Sequence, residues 1–501
     1  MVEAESGRWY LDTAELHSVQ PLMANWRFVQ NDEAALASTG ADWQTVSLPH
    51  TWNAEDTASL RAEDYKRGVG WYRLEFPTPT TGSRHWLEFG AASLVADVWL
   101  NGQKLGQHKG GFTAFRFDVT NALVEDGTNV LFVKADNSAP QSDTDLTAIP
   151  PMRGDFNVSG GLYRHVALIS TSDPAHFDLG DMGGPGIYAA TTSVANGAAT
   201  VNIRAKLKSD AATAGDHTVN ISLVDAAGQV AATVQQPVSL DAGGSGEVTQ
   251  ELSVANPHLW QGVADPYLYQ LMAELRRTDG TPIDRVVQSF GIREIRFDPN
   301  EGFFLNGQHV RLNGVGMHQD LLGKAWAISD QDMDHSLAMI MEIGANAVRL
   351  GHYPFGRYAL EKISELVLVA WAETAVGLGT TVASCSTYDS TDEYVSNAKQ
   401  QLQEMIRQQY NHAAIALWAV GNESSARQLN CEEPYDNVTP VIRELHELAK
   451  QEDRTARQST RSSMKISDAP CHSPPAASPI CSPPIGTTTG TTWLSMNSSR
   501  C

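Results

Sequence analysis

The chain has 501 residues, of which 42% are hydrophobic and 19% charged, and a globular composition of this length predicts about three domains. The formal net charge of −22 at pH 7 argues against a nucleic acid or an anionic membrane as partner. No apolar run approaches the roughly 18 residues that span a bilayer, and no export signal follows Met1, so we expect a cytoplasmic protein, or a periplasmic or secreted one if the start was trimmed.

Residues 1–172 are predicted to form an all-β domain of the jelly-roll sandwich type. Segments that alternate apolar and polar residues, such as Gly70–Phe76 and Ala96–Leu100, are separated by turn signals, of which Asn101-Gly102 is the strongest. Aromatic platforms suit sugar rings, but we favour core packing between two sheets for most of the tryptophans here. These are Trp9, Trp26, Trp43, Trp52, Trp71, Trp86 and Trp99.

A second all-β domain is predicted over residues 173–296. Thr200–Leu207 and Thr218–Val224 alternate cleanly, and turns containing glycine follow at Gly228 and Gly243. Strands at this spacing over roughly 120 residues favour an immunoglobulin-like β-sandwich. No residue in it suggests chemistry, so we interpret this domain as a spacer.

From about residue 297 the pattern changes to strands that are each followed by a helix. The predicted strands are His309–Val315, Ala345–Leu350, Val367–Trp371 and Ala414–Val420, and the predicted helices are Asp330–Ile343, Arg357–Leu366, Asp392–Tyr410 and Val438–Lys450. Asp330 is expected to cap the first helix. Four βα units in a row are typical of a parallel barrel, so residues 297–454 are predicted to form the first half of a (β/α)8 TIM barrel.

Polar residues follow all four predicted barrel strands. His318 and His352 follow the first two strands, Glu373 follows the third, and Asn422-Glu423 follows the fourth. Taken alone, the Asn-Glu pair more often marks the start of a helix. Because the carboxyl ends of parallel strands meet at one face of a barrel, the four polar ends together favour a shared active site.

Six motifs stand in one order along the chain. They are Gly68–Arg73, Asp155–Arg164, Gly314–Gln319, Asn346–Pro354, Trp371–Glu373 and Gly421–Glu423. Together they resemble glycoside hydrolase family 2, the family of β-galactosidases and β-glucuronidases. The resemblance covers nearly everything from residue 25 to 453, and the family's jelly roll, immunoglobulin-like sandwich and barrel agree with the three regions predicted above.

The resemblance implies hydrolysis with retention of configuration. Glu423 is then the general acid/base, which first protonates the leaving oxygen and later activates water, while a second carboxylate attacks the anomeric carbon. Asn422 is expected to hold the sugar's 2-hydroxyl group, and Arg349 to orient the nucleophile. The family's substrate-binding positions fall on Asp155, His318, Arg349, His352 and Asn422.

Two departures from the family pattern concern a metal ion and the nucleophile. Some β-galactosidases of the family bind magnesium through Glu-x-His after the third strand, whereas Glu373-Thr374-Ala375 offers no histidine here. We therefore predict no metal at this position, and no cofactor. The family takes its nucleophilic glutamate from the seventh barrel strand, and the sequence after about Asp453 shows no periodicity that fits further strands.

Residues 455–501 are interpreted as a frameshifted segment, the alternative being a disordered tail. The codons TAC-AAC-CAC-TGG-TAC-TAC, for the family-like Tyr-Asn-His-Trp-Tyr-Tyr, read one base later as Thr-Thr-Thr-Gly-Thr-Thr. That is the sequence from Thr487 to Thr492. On this interpretation the nucleophile is absent from this chain.

The predicted function is that of a retaining exo-β-glycosidase, specifically a β-galactosidase that acts on terminal β-D-galactosides or related oligosaccharides. One alternative is a β-glucuronidase of the same family. A second is a non-catalytic sugar-binding protein that uses the jelly roll, and a third is a non-functional truncation product. A homo-oligomer is left open for the full-length form.

Overall fold

The computed structural model describes residues 16–30, 43–59, 64–139, 149–150, 156–366, 369–376, 391–422 and 438–453. Within these ranges two β-sandwiches are followed by a small antiparallel sheet and by a parallel sheet with helices. None of the described helices is long and apolar enough to cross a membrane.

The first sandwich packs a six-stranded antiparallel sheet against a four-stranded one. In spatial order the larger sheet contains Gln44–Val46 (β3), Trp26–Gln30 (β2), Val69–Pro77 (β4), Thr128–Asp136 (β9), Val95–Leu100 (β6) and Gln103–Lys109 (β7). The smaller sheet contains His17–Pro21 (β1), Val166–Thr171 (β10), Arg84–Phe89 (β5) and Phe115–Asp118 (β8). Alternate residues of β9, such as Leu131 and Val133, are fully buried, as expected for a strand with one face on a core.

The tryptophans of this region divide among three apolar clusters: Trp26 and Trp52 pack in the core between the two sheets, Trp86 packs in the core of the following domain, and Trp71 forms a separate small cluster with Trp43 and Trp99. Trp26, Trp52, Trp71 and Trp86 are buried, and Trp43 and Trp99 are partly buried. Core packing between the two sheets therefore holds for Trp26 and Trp52 only, whereas Trp9 lies outside the described residues.

The second sandwich is also built from two antiparallel sheets. One contains Ala175–Phe177 (β11), Ala198–Ser209 (β13) and Ile187–Ala195 (β12), with Ser245–Ala255 (β16) also paired to β13. The other contains Val230–Leu240 (β15), Gly215–Val224 (β14), Tyr269–Arg277 (β17) and Pro282–Phe290 (β18). Every second residue of β13 is buried between the two sheets, which fixes the register of the strand.

A small antiparallel sheet leads into the βα region, and it corrects one predicted strand. Its strands are Ile295–Asp298 (β19), Gly302–Leu305 (β20) and Gln308–His309 (β21). The sequence predicted a barrel strand over His309–Val315, whereas His309 pairs with Phe304 in this hairpin. The parallel strand begins only at Gly314. An alternating apolar pattern does not distinguish the end of a hairpin from the start of a buried strand.

The βα region contains a parallel sheet whose strands follow one another in chain order. The strands are Gly314–Met317 (β22), Ala347–Leu350 (β23), Val369–Glu373 (β24) and Ile415–Ala419 (β25). The helices are Asp330–Glu342 (α1), Arg357–Leu366 (α2), Asp392–Gln409 (α3) and Val438–Glu452 (α4). Within the described ranges β22 and β25 form the two edges of this sheet, and no closed barrel is seen. Residues 454–501 lie outside them, so the frameshift remains a prediction.

Helices α1 and α3 each begin with a side-chain cap. Ser329, rather than the predicted Asp330, caps α1: its hydroxyl accepts the amide of Asp332 at 3.2 Å, and the Asp332 carboxylate accepts the amide of Ser329 at 2.8 Å. This reciprocal pair is a capping box, which satisfies two amides that the helix leaves unpaired. Thr391 caps α3 by accepting the amide of Tyr394 at 3.2 Å.

Helix α3 connects the parallel sheet to both sandwiches. The Glu404 carboxylate contacts His108 Nε2 at 3.0 Å and accepts the Thr113 hydroxyl at 2.5 Å, both from the first sandwich. Arg407 donates to the two carboxylate oxygens of Asp181, which precedes β12, at 2.6 and 2.8 Å. The core beside α3 is continuous across the domains, because Phe112 and Trp260 pack in the same apolar cluster as the helices.

Candidate active site

The carboxyl ends of the parallel strands lie side by side. Met317 pairs in register with Leu350, and Leu350 with Ala372, so the residues that follow these positions emerge at one edge of the sheet. The side chains brought together there are His318, Arg349, His352, Glu373 and Asn422.

Glu373 is the centre of this cluster and is fully buried. Arg349 donates to both of its oxygens, from Nε to Oε2 at 2.8 Å and from Nη2 to Oε1 at 2.9 Å. Its Oε1 also lies 2.6 Å from Nδ1 of His352. A carboxylate without solvent contact is stable only when paired and hydrogen-bonded, and these three contacts meet that requirement.

Arg349 extends the network to the fourth strand. Its Nη2 donates to Oδ1 of Asn422 at 2.7 Å, and the backbone amide of Asn422 donates to the carbonyl of Val376 at 2.9 Å. A planar guanidinium presents its donors in a fixed geometry. Arg349 therefore sets the relative positions of Glu373, the last residue of β24, and Asn422, which follows β25.

His318, which follows β22, is held by Tyr353, which follows β23. Tyr353 is fully buried, and burial raises the pKa of its hydroxyl well above the ordinary value. The hydroxyl therefore stays protonated: it accepts the amide of Gln319 at 3.2 Å and lies 3.1 Å from Nδ1 of His318, to which it can donate. The rings of His318 and His352 are centred 5.2 Å apart and nearly perpendicular.

The first sandwich closes one side of the site. Arg164 donates to the Gln319 side-chain oxygen at 2.9 Å and to the Pro354 carbonyl at 3.0 Å. The ring of Phe156 lies against the two histidines, with ring centroids 5.8 Å from His318 and 6.1 Å from His352. The site is therefore formed by the strand ends together with a wall from another domain.

The structure brings together four of the six residues predicted from the sequence. His318, Arg349, His352 and Asn422 form the cluster described above, whereas Asp155 and Glu423 lie outside the described residues. Their roles toward a sugar remain predictions.

Sequence reasoning missed two members of the site, Tyr353 and Phe156, and the structural role of Glu373. The sequence placed Glu373 among the four polar strand ends of a shared active site and predicted no metal at it, but it did not predict the pairing of Glu373 with Arg349 and His352. The absence of a metal there remains a prediction, and what the described geometry shows is a carboxylate with both oxygens engaged by Arg349 and His352. Tyr353 directly follows His352 in Gly351–Pro354, a signal that sequence reasoning could have used.

Comparison with known proteins gives three family models that match in chain order. "Glycosyl hydrolase 2 galactose-binding domain-like" matches residues 50–158, "Glycosyl hydrolases family 2" matches 187–293, and "Glycosyl hydrolases family 2, TIM barrel domain" matches 298–459. The matches fall on the first sandwich, the second sandwich and the βα region, respectively. They identify the parallel sheet as part of a TIM barrel domain.

Several relatives align over most of this chain. A β-glucuronidase from Bacteroides fragilis is 36% identical over 435 residues, which is 86% of this chain and 59% of that protein. A β-galactosidase from Bacteroides ovatus is 29% identical over 411 residues, 80% of this chain and 46% of that protein. The crystal structure of a Bacteroides uniformis β-glucuronidase matches with a TM-score of 0.79 and 31% identity, over 88% of this chain and 52% of that one.

This chain spans about half the length of the curated relatives that it matches. The three models describe successive domains of one family, and they match this chain in the same order. A chance resemblance to a single common fold would not produce all three matches. The chain belongs to glycoside hydrolase family 2.

Proposed function

We propose that this protein is a retaining exo-β-glycosidase that binds a terminal sugar at the carboxyl ends of β22–β25. The observation that carries the proposal is the cluster in which Glu373 contacts both Arg349 and His352, and Arg349 also bonds to Asn422, at distances of 2.6–2.9 Å. Polar groups fixed in advance at the mouth of a barrel bind a sugar without reorganising. The family membership supplies the reaction class.

Each residue has a distinct part in the proposed reaction. His318 and His352 bind sugar hydroxyl groups, and Asn422 holds the 2-hydroxyl group. Glu423 donates its proton to the leaving oxygen as the glycosidic bond breaks and a second carboxylate bonds to the anomeric carbon. In the second step Glu423 takes a proton from water, the water oxygen replaces the carboxylate at that carbon, and the configuration is retained.

The nucleophile of this reaction is not Glu373. A nucleophilic carboxylate has to reach the anomeric carbon, whereas Glu373 is fully buried and both of its oxygens are occupied by Arg349 and His352. We place the nucleophile on a later barrel strand, as the resemblance implies. If residues 455–501 are frameshifted, as the sequence predicts, the 501-residue chain holds the acid/base without the nucleophile.

The names of the relatives divide between two substrates. Glucuronidases include the 36% identical relative and the matching Bacteroides uniformis structures, so a terminal β-glucuronide is our preferred substrate. The galactoside expected from the sequence is the second candidate. The charges of the described site favour the galactoside. Glu373 neutralises the positive charge of Arg349, so the Arg349 guanidinium is unsuited to binding the carboxylate of a glucuronide.

Hydrolysis of matched aryl glycosides tests the proposal. We expect the purified 501-residue chain to bind a glucaro- or galactonolactone but to release no nitrophenol from nitrophenyl β-glucuronide or β-galactoside. Restoring the reading frame by one nucleotide near codon 455 should give hydrolysis with a β-configured first product, seen by NMR. An α-configured first product, or turnover by the 501-residue chain at a rate near that of the restored protein, would refute it.

The role of Glu423 is tested in the restored protein by Glu423→Gln. This change keeps the shape but removes the transferable proton, so turnover of alkyl glycosides should fall by about 10²–10⁴-fold. Nitrophenyl glycosides should be affected less in the first step, because nitrophenolate leaves without a proton. Azide should restore turnover and yield a β-glycosyl azide. A loss that is equal for both leaving groups, with no azide product, would remove Glu423 from the acid/base role.

A further inference from the structure

Arg164 of the first sandwich donates to three oxygen atoms, which come from both sides of the domain boundary. Its Nη2 donates to the side-chain oxygen of Gln319 at 2.9 Å and to the carbonyl of Pro354 at 3.0 Å. Its Nη1 donates to the carbonyl of Phe112, in its own domain, at 2.5 Å. Because a guanidinium presents its donors in a rigid plane, acceptors that share one such group are held at fixed positions relative to one another.

These three acceptors all adjoin Tyr353. Pro354 follows Tyr353 in the chain. The backbone amide of Gln319 donates to the Tyr353 hydroxyl at 3.2 Å, and the ring of Phe112 stacks on the Tyr353 ring with centroids 4.6 Å apart and planes at 2°. The contacts of Arg164 therefore converge on the backbone, the hydroxyl group and the ring of one residue.

Tyr353 connects this arrangement to the proposed sugar site. Its hydroxyl lies 3.1 Å from Nδ1 of His318, and His352, whose Nδ1 contacts Glu373 at 2.6 Å, directly precedes it in the chain. The Tyr353 side chain is fully buried, and a closely packed ring transmits a displacement to its neighbours instead of absorbing it. A shift of Tyr353 would therefore move groups that follow both β22 and β23.

We infer that Arg164 is a positioning residue, which fixes Tyr353 and thereby the residues after β22 and β23 that bind the sugar. Lysine cannot take its place, because an ammonium group is a point charge without the planar fork that joins three acceptors. The ligand class rests on the proposed function, whereas the placement of Tyr353 by Arg164 does not.

The test measures amide hydrogen exchange by mass spectrometry, and lactone binding by calorimetry, in the 501-residue chain. Exchange in residues 314–321 and 350–356 reports local opening of the two strand ends. These segments contain the amide of Gln319 and that of Gly351, which donates to the Met317 carbonyl at 3.0 Å. Arg164→Lys keeps the charge and removes the fork, and β13 of the second sandwich is the internal reference.

Arg407→Lys is the matched control. Arg407 also joins a sandwich to the βα region, since it donates to both carboxylate oxygens of Asp181 at 2.6 and 2.8 Å. It lies in the last turn of α3, which precedes the amino end of β25, whereas the proposed site is at the carboxyl ends of the strands. This variant should lose stability without opening residues 314–321 or 350–356.

In Arg164→Lys we expect exchange in both segments to be about 10-fold faster and the affinity for glucarolactone or galactonolactone to be about 10-fold weaker, as for one lost hydrogen bond from a charged donor. Exchange in β13 should not change, and Arg407→Lys should leave both readouts as in the wild type. Unchanged exchange in the two segments overturns the inference, as does equal acceleration in Arg407→Lys. Faster exchange with unchanged affinity, in a chain that binds lactone, also overturns it.

Gln319→Met keeps the inference testable if Arg164→Lys does not fold. It removes the side-chain acceptor after β22 and leaves the Pro354 carbonyl after β23 in place, so exchange should accelerate more in residues 314–321 than in 350–356. Acceleration in neither segment, or equal acceleration in both, contradicts the role of Arg164. Faster exchange in Arg164→Lys together with a wild type that binds neither lactone supports the placement of Tyr353 and refutes the proposed function.

Discussion

The guanidinium of Arg349 is held by side chains at the carboxyl ends of two neighbouring strands, β24 and β25. It bonds to Glu373 through two donors and to Asn422 through one. A buried carboxylate beside a cation is costly to disrupt, because the group that remains has lost its partner in a medium of low dielectric constant. The arrangement favours a role in organising the site over a role in proton transfer, since every oxygen of Glu373 is occupied.

Replacing Glu373 with Gln should both destabilise the protein and abolish sugar binding. The change removes the charge that pairs with Arg349, so the free energy of unfolding should fall by about 3 kcal/mol. Arg349 and His352 should then take other orientations. Urea denaturation and lactone calorimetry on the 501-residue chain measure the two effects.

Glu274→Gln provides the matched control for that experiment. Glu274 is 2% exposed and binds Arg285 at 2.9 and 2.7 Å in β17 of the second sandwich, outside the cluster around Arg349. It should lose similar stability while keeping lactone affinity. If both variants bind lactone as the wild type does, Glu373 has no part in organising the site.

At the scale of elements, helix α3 is the part that joins the domains. Its residue Glu404 faces the first sandwich, and Arg407 faces the second sandwich and α4. Both side chains are charged, but contacts with the neighbouring domains bury most of their surface. A helix whose polar face is covered in this way is stabilised by ion pairs between domains.

We expect Arg407→Ala to cost about 3 kcal/mol of unfolding free energy. Arg407 is paired with Asp181 and Glu452, and the side chains of all three are at most 12% exposed. The control is Lys399→Ala on the same helix, because Lys399 pairs with Glu444 while both side chains are 38% and 51% exposed. Such a surface pair is worth about 0–1 kcal/mol. Equal losses in chemical denaturation would contradict the cross-domain role of Arg407.

The sequence predicted the periodic elements better than the contacts between them. α2 was predicted at Arg357–Leu366, which is its observed range, and α3 ended one residue short of the prediction. These helices have strong apolar periodicity and a clear start. The first barrel strand was misplaced, because residues 308–309 belong to a hairpin whose partner strand is fixed by tertiary packing.

The site was predictable only in part, for a similar reason. His318, His352 and Asn422 could be placed at strand ends, since parallel strands align their carboxyl ends. The pairing of Arg349 with Glu373 depends on which face of each strand turns inward, and the contact of Phe156 with the histidines depends on how two domains dock. Neither relation leaves a periodic signal in one sequence.

At the scale of the whole molecule, acid should weaken the fold before its carboxylates are protonated. Burial lowers the pKa of His50 to about 4 and that of His412 to about 3, against an ordinary value of about 6.5. Between those limits the unfolded chain binds protons that the folded chain does not. The contribution of these two histidines to stability is therefore fully present above about pH 6.5 and is lost as the pH falls toward 4.

Urea denaturation at pH 7.5, 6.5, 5.5 and 4.5 should show a decreasing free energy of unfolding across this window. His50→Gln should flatten that decrease, because glutamine can still bond to the Tyr72 hydroxyl that His50 contacts at 2.7 Å but has no proton to bind. A decrease of the same steepness in His50→Gln would show that the pH dependence arises elsewhere.

Helix α3 pairs with residues that lie far earlier in the sequence, and this separation sets an order of events during synthesis. Asp181 and Arg407 are separated by 226 positions, and at roughly 5–20 residues per second a ribosome needs roughly 11–45 s to travel that distance. Both sandwiches have emerged by then, and until that point Asp181 is paired only within the second sandwich, with Lys206 at 2.8 Å and with Tyr188. The N-terminal domains thus serve as a template, and the segment that carries the strand ends emerges after them and takes its shape against them.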